Sequence, residues 1–250
     1  MPKIKLMSHL IADFPNRNIA LAAAESLIQG GATTLEIQLP FSDPSADGAV
    51  IANACTRVLQ NGYKTAQAFD FIKELKAQHP KTSMALMSYA SLIFTPGVEN
   101  FCRQAKAAGV DALIVPDLPF DCDENLRKNA ENQKIMMIPV VAPSMAKTRI
   151  EFLLKENFPM IYAALRRGIT GSETQITDET VAFLKLLKKN GAKILGGFGV
   201  SNAATARTIA PFVDEIVAGS VFVKIIEENQ NDMLALKTKL RNKARELTEF

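Results

Sequence analysis

Arg17–Leu39 reads RNIALAAAESLIQGGATTLEIQL, and its two halves follow different periodicities. The first half repeats apolar residues at helical spacing and stops at Gly30, which predicts a helix with a glycine C-cap in the left-handed conformation. The second half, Thr33–Leu39, is a short apolar run of strand length. Glu36 sits inside it, where a charged group is out of place.

The same strand and helix rhythm extends both ways along the chain. Further strand-like runs are Leu6–Ala12, Ser83–Tyr89, Asp111–Pro116, Lys134–Val140, Pro159–Leu165, Lys193–Phe198 and Val213–Gly219. They are continuous rather than alternating, as expected of strands buried on both faces of a parallel sheet. Helical patterns lie between them, among them TAQAFDFIKELKAQ, VENFCRQAKAAG ending at Gly109 and DETVAFLKLLKKNG ending at Gly191. Eight strands with crossover helices in 250 residues predict an α/β fold of the (β/α)8 TIM-barrel type with extra helices. An open doubly wound sheet would place a glycine-rich turn after its first strand, and DFPN stands there instead. No linker-like stretch interrupts the pattern, so residues 1–250 read as a single domain.

Composition narrows the function classes. The net charge is +3 and the charges are interspersed, which gives no reason to expect nucleic acid or an anionic membrane surface. The basic stretch Lys237–Arg245 reads as the solvated face of a terminal helix. Cys55, Cys102 and Cys122 form neither a CxxC pair nor a zinc spacing and read as reduced thiols of a cytoplasmic protein. The apolar run near the N-terminus is too short for a signal peptide or a membrane span. His9 and His79 stand apart, which argues against a metal centre; His79 reads as a surface residue and His9 as buried and neutral.

Barrel chemistry sits at the C-terminal ends of the strands. Glu36 falls late in its strand, and the loop after it, LPFSDPSADG, carries Asp43 and Asp47. For Glu36 the alternative is an ion pair with an internal Arg or Lys. Asp43 in SDP reads as a turn former, whereas Asp47 in ADG suits a turn and a catalytic role equally. Late in the chain RRGITGSET, GGFGVSN and AGSVF follow three consecutive strands, and such loops build phosphate sites in barrels. Gly171, Gly199, Gly219 and Ser220 are the candidate anion-binding positions.

Three chemistries suit a phosphosugar barrel: an imine-forming lysine, a metal, or acid/base carboxylates. Lys81, Lys134 and Lys193 lie at strand starts, on the wrong face, and two isolated histidines do not make a metal cluster. Acid/base work by Glu36 and Asp47 remains. Burial should raise the pKa of a strand glutamate, while an aspartate on a wetter loop should stay ionised.

At this point the chain resembles the tryptophan synthase alpha subunit family. LEIQLPFSDPSADG is similar to the family's strand glutamate and P-F-S-D-P-x-A-D-G loop. MSYASLIFTPGVENF, GVDALIVPDLPFDCDENL, YAALRRGITG, GGFGVS and AGSVFVKIIEEN resemble its later segments in order and spacing. The resemblance implies a lyase that cleaves indole-3-glycerol phosphate to indole and glyceraldehyde 3-phosphate, a late step of tryptophan biosynthesis, with no cofactor of its own. It implies that Glu36 is the acid/base catalyst and that Asp47 accepts the indole N–H. Thr170, in the sixth loop, would orient Asp47 as that loop closes. Tyr162 falls on an active-site tyrosine, and Ile51, Met87, Ile114 and Phe198 fall on the indole pocket. The implied partner is the pyridoxal-phosphate-bearing beta subunit in an alpha-beta-beta-alpha complex, with Pro40, Asp43 and Pro119 in the loops that face it.

The chain departs from the family pattern at several positions. Gln38 stands where glycine is typical and shares Glu36's side of the strand, so it could crowd the site or bond the glutamate. Leu165 replaces a serine, Arg167 adds charge, Asp13-Phe14-Pro15 alters a turn, and His9 occupies a position usually aromatic or aliphatic. These departures leave room for a second reading, a phosphosugar-binding subunit that activates its partner while turning over little itself.

Overall fold

The computed structural model of the chain describes residues 4–165 and 176–250. Its strands are β1 Lys5–Ile11, β2 Thr34–Gln38, β3 Ser83–Met87, β4 Ala112–Ile114 and β5 Met136–Met137. They continue with β6 Val140–Val141, β7 Met160–Ala164, β8 Lys193–Gly197 and β9 Glu215–Ala218. All pairings are parallel, in the order β5-β4-β3-β2-β1-β9-β8-β7-β6.

Nine strands appear where the sequence predicts eight, because the run Lys134–Val140 is broken at Pro139. Proline has no N–H to give to a ladder. Residues before it pair with β4, and Ile138 N donates to Leu113 O at 3.0 Å. Residues from Pro139 onward turn to β7, where Tyr162 N donates to Pro139 O at 2.9 Å. One short segment thus touches both ends of the row and closes the TIM barrel.

Two apolar layers follow. A large one lies between the sheet and the surrounding helices and includes Leu35, Ile37, Leu86, Ile161 and Ile194. A smaller one fills the cylinder with Met7, Ala85, Ile114, Ile138, Leu195 and Val217. The strand period of two assigns alternate residues to these layers.

The N-terminal end of the barrel is tied by aspartates. Asp111, before β4, accepts from Met84 N at 3.0 Å and pairs with Lys76 Nζ at 2.8 Å. Asp214, before β9, accepts from Ile194 N at 2.8 Å. Each carboxylate satisfies a strand-start N–H of the neighbouring strand, which fixes register away from the mouth.

Helix Arg17–Gln29 is capped by Asn16, whose side chain accepts from Ile19 N at 3.1 Å. The expected left-handed cap moves by one residue. Gly30 is right-handed, and Gly31 carries the positive φ of 105°. Gly30 answers a packing demand: a Cβ there would lie 2.6 Å from the Ala244 Cβ of helix Met233–Glu246. Gly109 and Gly191 are left-handed caps as expected. The basic terminal stretch lies in the Met233–Glu246 helix, which buries Leu236, Leu240 and Ala244 at every fourth position.

Candidate active site

Strand register decides which polar side chains enter the cylinder. On β2, Glu36 faces Ala85 of β3 on one side and His9 of β1 on the other. Ala85 belongs to the inner layer, so Glu36 and His9 point inward with it. Glu36 is 4% exposed and His9 5% exposed. His9 Nδ1 lies 3.3 Å from Glu36 Oε2. The expected neutral, solitary histidine is therefore replaced by one paired with the strand carboxylate. Burial lowers the His9 pKa, but Glu36, Asp47 and Gln38 together outweigh it and hold the imidazole above its ordinary value. Glu36 does have an ion-pair partner, though not the Arg or Lys weighed above. A histidine partner can lose its proton near neutral pH, which a guanidinium cannot.

Asp47 reaches the same space from the loop after β2. Asp47 N donates to Pro44 O at 2.9 Å, closing a turn. The Asp47 Oδ2 atom accepts from Tyr89 Oη at 2.8 Å and from Gln38 Nε2 at 2.8 Å. The same Tyr89 oxygen accepts from Ala46 N at 3.1 Å, and its ring stacks on Phe41 at 5.1 Å. Gln38 therefore bonds the aspartate, not the glutamate. Nor is Asp47 on a wet loop: burial raises its pKa, while His9, Tyr89 and Gln38 pull it back. Its ionised form depends on those three partners.

Glu36, His9 and Asp47 line one cleft of about 580 Å3, counted with its open mouth. Of the positions named from sequence, Ile51, Met87, Ile114, Tyr162, Phe198, Gly199, Gly219 and Ser220 line it as well. Tyr162 stands edge-on to Phe198 at 5.7 Å. Gly197 makes room for that tyrosine, because a Cβ would lie 2.4 Å from its hydroxyl. Phe198 and Gly199 follow with φ of 72° and 97°, so the chain turns sharply at the rim. Gly219 precedes helix Ser220–Asn229, and both Gly219 and Ser220 at that helix start line the same cleft. The arrangement offers an aromatic and aliphatic wall, two carboxyls and an anion-friendly helix start.

Thr170 and Gly171, with Arg167, lie outside the described residues. Leu165 is 1% exposed and belongs to the outer layer, so its departure from serine leaves the cleft untouched. Asp43 is exposed and accepts from the adjacent Ser42 Oγ at 2.5 Å, while the turn of this loop falls after it, closed by Asp47 N on Pro44 O; Pro119 is exposed and Pro40 is buried. Sequence reasoning missed Tyr89 as the anchor of Asp47 and His9 as the neighbour of Glu36. The only available signal was a tyrosine at a strand end and a histidine inside an apolar strand. Among the described residues no group of three His, Cys, Asp or Glu side chains is placed to hold a metal, and no helix is long and apolar enough to cross a membrane.

Comparison with known proteins gives one answer. The family model for the tryptophan synthase alpha chain matches residues 2–250. The chain is 40% identical over 234 residues to the tryptophan synthase alpha chain of Helicobacter hepaticus, spanning 91% of this chain and 87% of that one. It is 32% identical over 227 residues to that of Desulfotalea psychrophila, spanning 90% and 89%. A solved structure of the tryptophan synthase a2b2 complex from Pyrococcus furiosus superposes with a TM-score of 0.87 at 30% identity, covering 99% of both chains. Tryptophan synthase from Mycobacterium tuberculosis superposes with a TM-score of 0.87 at 26% identity, covering 99% and 94%.

Proposed function

The chain belongs to the tryptophan synthase alpha chain family, and we propose that Glu36 and Asp47 carry its lyase chemistry. The reaction is retro-aldol cleavage of indole-3-glycerol phosphate to indole and glyceraldehyde 3-phosphate, in tryptophan biosynthesis. Glu36, as the acid, protonates the indole ring carbon that bears the glycerol chain. Asp47 accepts the ring N–H and stabilises the resulting indolenine cation. The Glu36 carboxylate then takes the proton of the neighbouring glycerol hydroxyl as the carbon–carbon bond breaks. The bond electrons pass into the ring and restore indole, the hydroxyl carbon becomes the aldehyde, and Glu36 ends as it began.

The observation that carries this reading is the shared cleft, with Glu36 buried in the barrel wall and Asp47 held by Tyr89 and Gln38. A carboxyl fixed by two donors is preorganised to receive a developing cation. Tyr162, Phe198, Met87, Ile114 and Ile51 form the wall for the indole. Gly199, Gly219 and Ser220, with Gly171, take the phosphate end, and Thr170 orients Asp47.

The partner is the tryptophan synthase beta subunit in an alpha-beta-beta-alpha assembly, supported by the solved Pyrococcus furiosus complex. The loops carrying Pro40, Asp43 and Pro119 face it. This reading assigns no cofactor to the chain itself and leaves pyridoxal phosphate to the beta subunit. It takes residues 1–250 as one barrel domain in the cytoplasm, in keeping with a sheet whose strands run from Lys5 to Ala218.

The test is Glu36→Gln, assayed for indole release from indole-3-glycerol phosphate with glycerol phosphate binding measured in parallel. Release is expected to vanish while binding persists. Retention of a tenth of the wild-type rate would remove Glu36 from its role.

A further inference from the structure

His9 has a feature that its pairing with Glu36 leaves unexplained. Its Nε2 is buried without a hydrogen bond of good geometry among the described residues, although Gln38, whose Oε1 is likewise unpartnered, faces the ring and favours its protonated form. A buried ring nitrogen left unpaired is costly, and a ligand atom entering the cleft would satisfy it.

The ring's orientation says where that atom lies. β1 pairs with β2 on one side, His9 opposite Glu36, and with β9 on the other, Ser8 opposite Ala218. The next step in that register sets His9 beside Gly219. A Cβ on Gly219 would lie 3.1 Å from the His9 Cβ and 3.3 Å from its Cδ2. Cδ2 is bonded to Nε2, so the Nδ1 edge meets Glu36 and the Nε2 edge runs along the start of helix Ser220–Asn229. We propose that His9 is a substrate-binding residue of this chain, its Nδ1 held by Glu36 and its Nε2–H donated to the glycerol-phosphate part of the ligand.

Charge supports the same assignment. The described lining of the cleft contains Glu36 and Asp47 but no lysine or arginine, and His9 is its one basic side chain. A phosphate dianion entering beside two carboxyls needs a counter-charge. Burial opposes the imidazolium, but Glu36 and Gln38 from β2 and Asp47 from the loop after it favour it and prevail, while the β9 side presents the Gly219 backbone. One imidazolium can therefore serve both the carboxylate and the phosphate end. The inference rests on the lyase reading and adds to it a side chain where the family usually has an apolar one.

The chain has two histidines, so 15N-histidine labelling gives a readable spectrum. The probe is glycerol 3-phosphate, titrated into the full chain. The His9 Nε2 resonance is expected to shift on saturation while His79 stays put. By calorimetry between pH 6.5 and 8.5, where the ligand is mainly dianionic, wild-type affinity is expected to fall about tenfold as pH rises. His9→Phe should bind about tenfold more weakly at pH 6.5 and lose the pH dependence. His9→Gln should also be flat with pH, since it keeps a donor without the charge. A His9 resonance that ignores saturating ligand overturns the proposal, even if His9→Phe fails to fold. Equal affinity of wild type and His9→Phe at every pH overturns it too. If wild type cleaves indole-3-glycerol phosphate while His9 stays silent, this inference alone falls. If wild type neither binds glycerol phosphate nor releases indole, the lyase reading falls with it.

Discussion

Gln38 donates from Nε2 to Asp47 Oδ2 at 2.8 Å, linking the last residue of β2 to the aspartate nine positions on. Gln38 Oε1 meanwhile is buried without a partner. The side chain positions Asp47 and carries an unpaid polar atom in doing so.

Gln38→Leu removes both atoms at similar volume. Activity and stability should therefore separate. We expect kcat/KM for indole-3-glycerol phosphate to fall about tenfold, equivalent to roughly 1.4 kcal/mol, because Asp47 keeps Tyr89 but loses a donor. Thermal stability should change little, since losing a donor to the buried Asp47 offsets removal of the orphaned amide oxygen. An unchanged kcat/KM would show that Tyr89 alone positions the aspartate.

Tyr89→Phe makes the complementary test. It keeps the ring against Phe41 but takes the hydroxyl from both Asp47 and Ala46 N. Loss of this bridge should destabilise the chain by about 1–3 kcal/mol and lower kcat/KM at least as much as Gln38→Leu. Chemical denaturation and steady-state assays check the two halves separately. A variant as stable and active as wild type would contradict the bridging role.

Gly197→Ala places a methyl 2.4 Å from the Tyr162 hydroxyl and 2.8 Å from its Cζ, so the ring must move. Tyr162 stands edge-on to Phe198, so the indole wall is expected to deform while Glu36 and Asp47 stay in place. KM should rise about tenfold with a smaller change in kcat, the signature of lost uniform binding. A fall confined to kcat would place Tyr162 in the chemistry instead.

A buried carboxyl at the opposite end of the barrel predicts a pH dependence of stability. Glu215, 6% exposed at the N-terminal end, accepts from Thr33 Oγ1 at 3.1 Å. Burial raises its pKa, with Thr34, Thr33, Lys5 and Lys193 acting against the shift. The folded chain then binds this proton more tightly than the unfolded chain, so stability falls as pH rises from about the ordinary value of 4.5 to the raised folded value. Asp13 and Asp47 act with the same sign from 3.8 upward. The raised His9 adds stability that is complete below 6.5 and lost as pH climbs through its folded value. Urea unfolding between pH 4.5 and 7 should show a shallower decline for Glu215→Gln than for wild type. Matching slopes would remove Glu215 from the account.

Periodicity alone determined the barrel, because continuous apolar strands alternating with capped helices bury themselves stably in few ways. It also placed Glu36 late in a strand; in the structure it is the middle residue of β2 and still lines the cleft. The glycine-rich late loops pointed to a candidate anion site for the same local reason: backbone freedom is written in residue type. What a single strand cannot encode is its neighbour. Register alone set His9 against Glu36 and the Gly219 turn, and packing alone brought Tyr89 and Gln38 to Asp47. The split of the fifth strand at Pro139 depended likewise on two partners facing opposite ways. Charge states followed suit: the sequence shows which groups can ionise, but burial and partners, which exist only once the cylinder closes, decide which of them do.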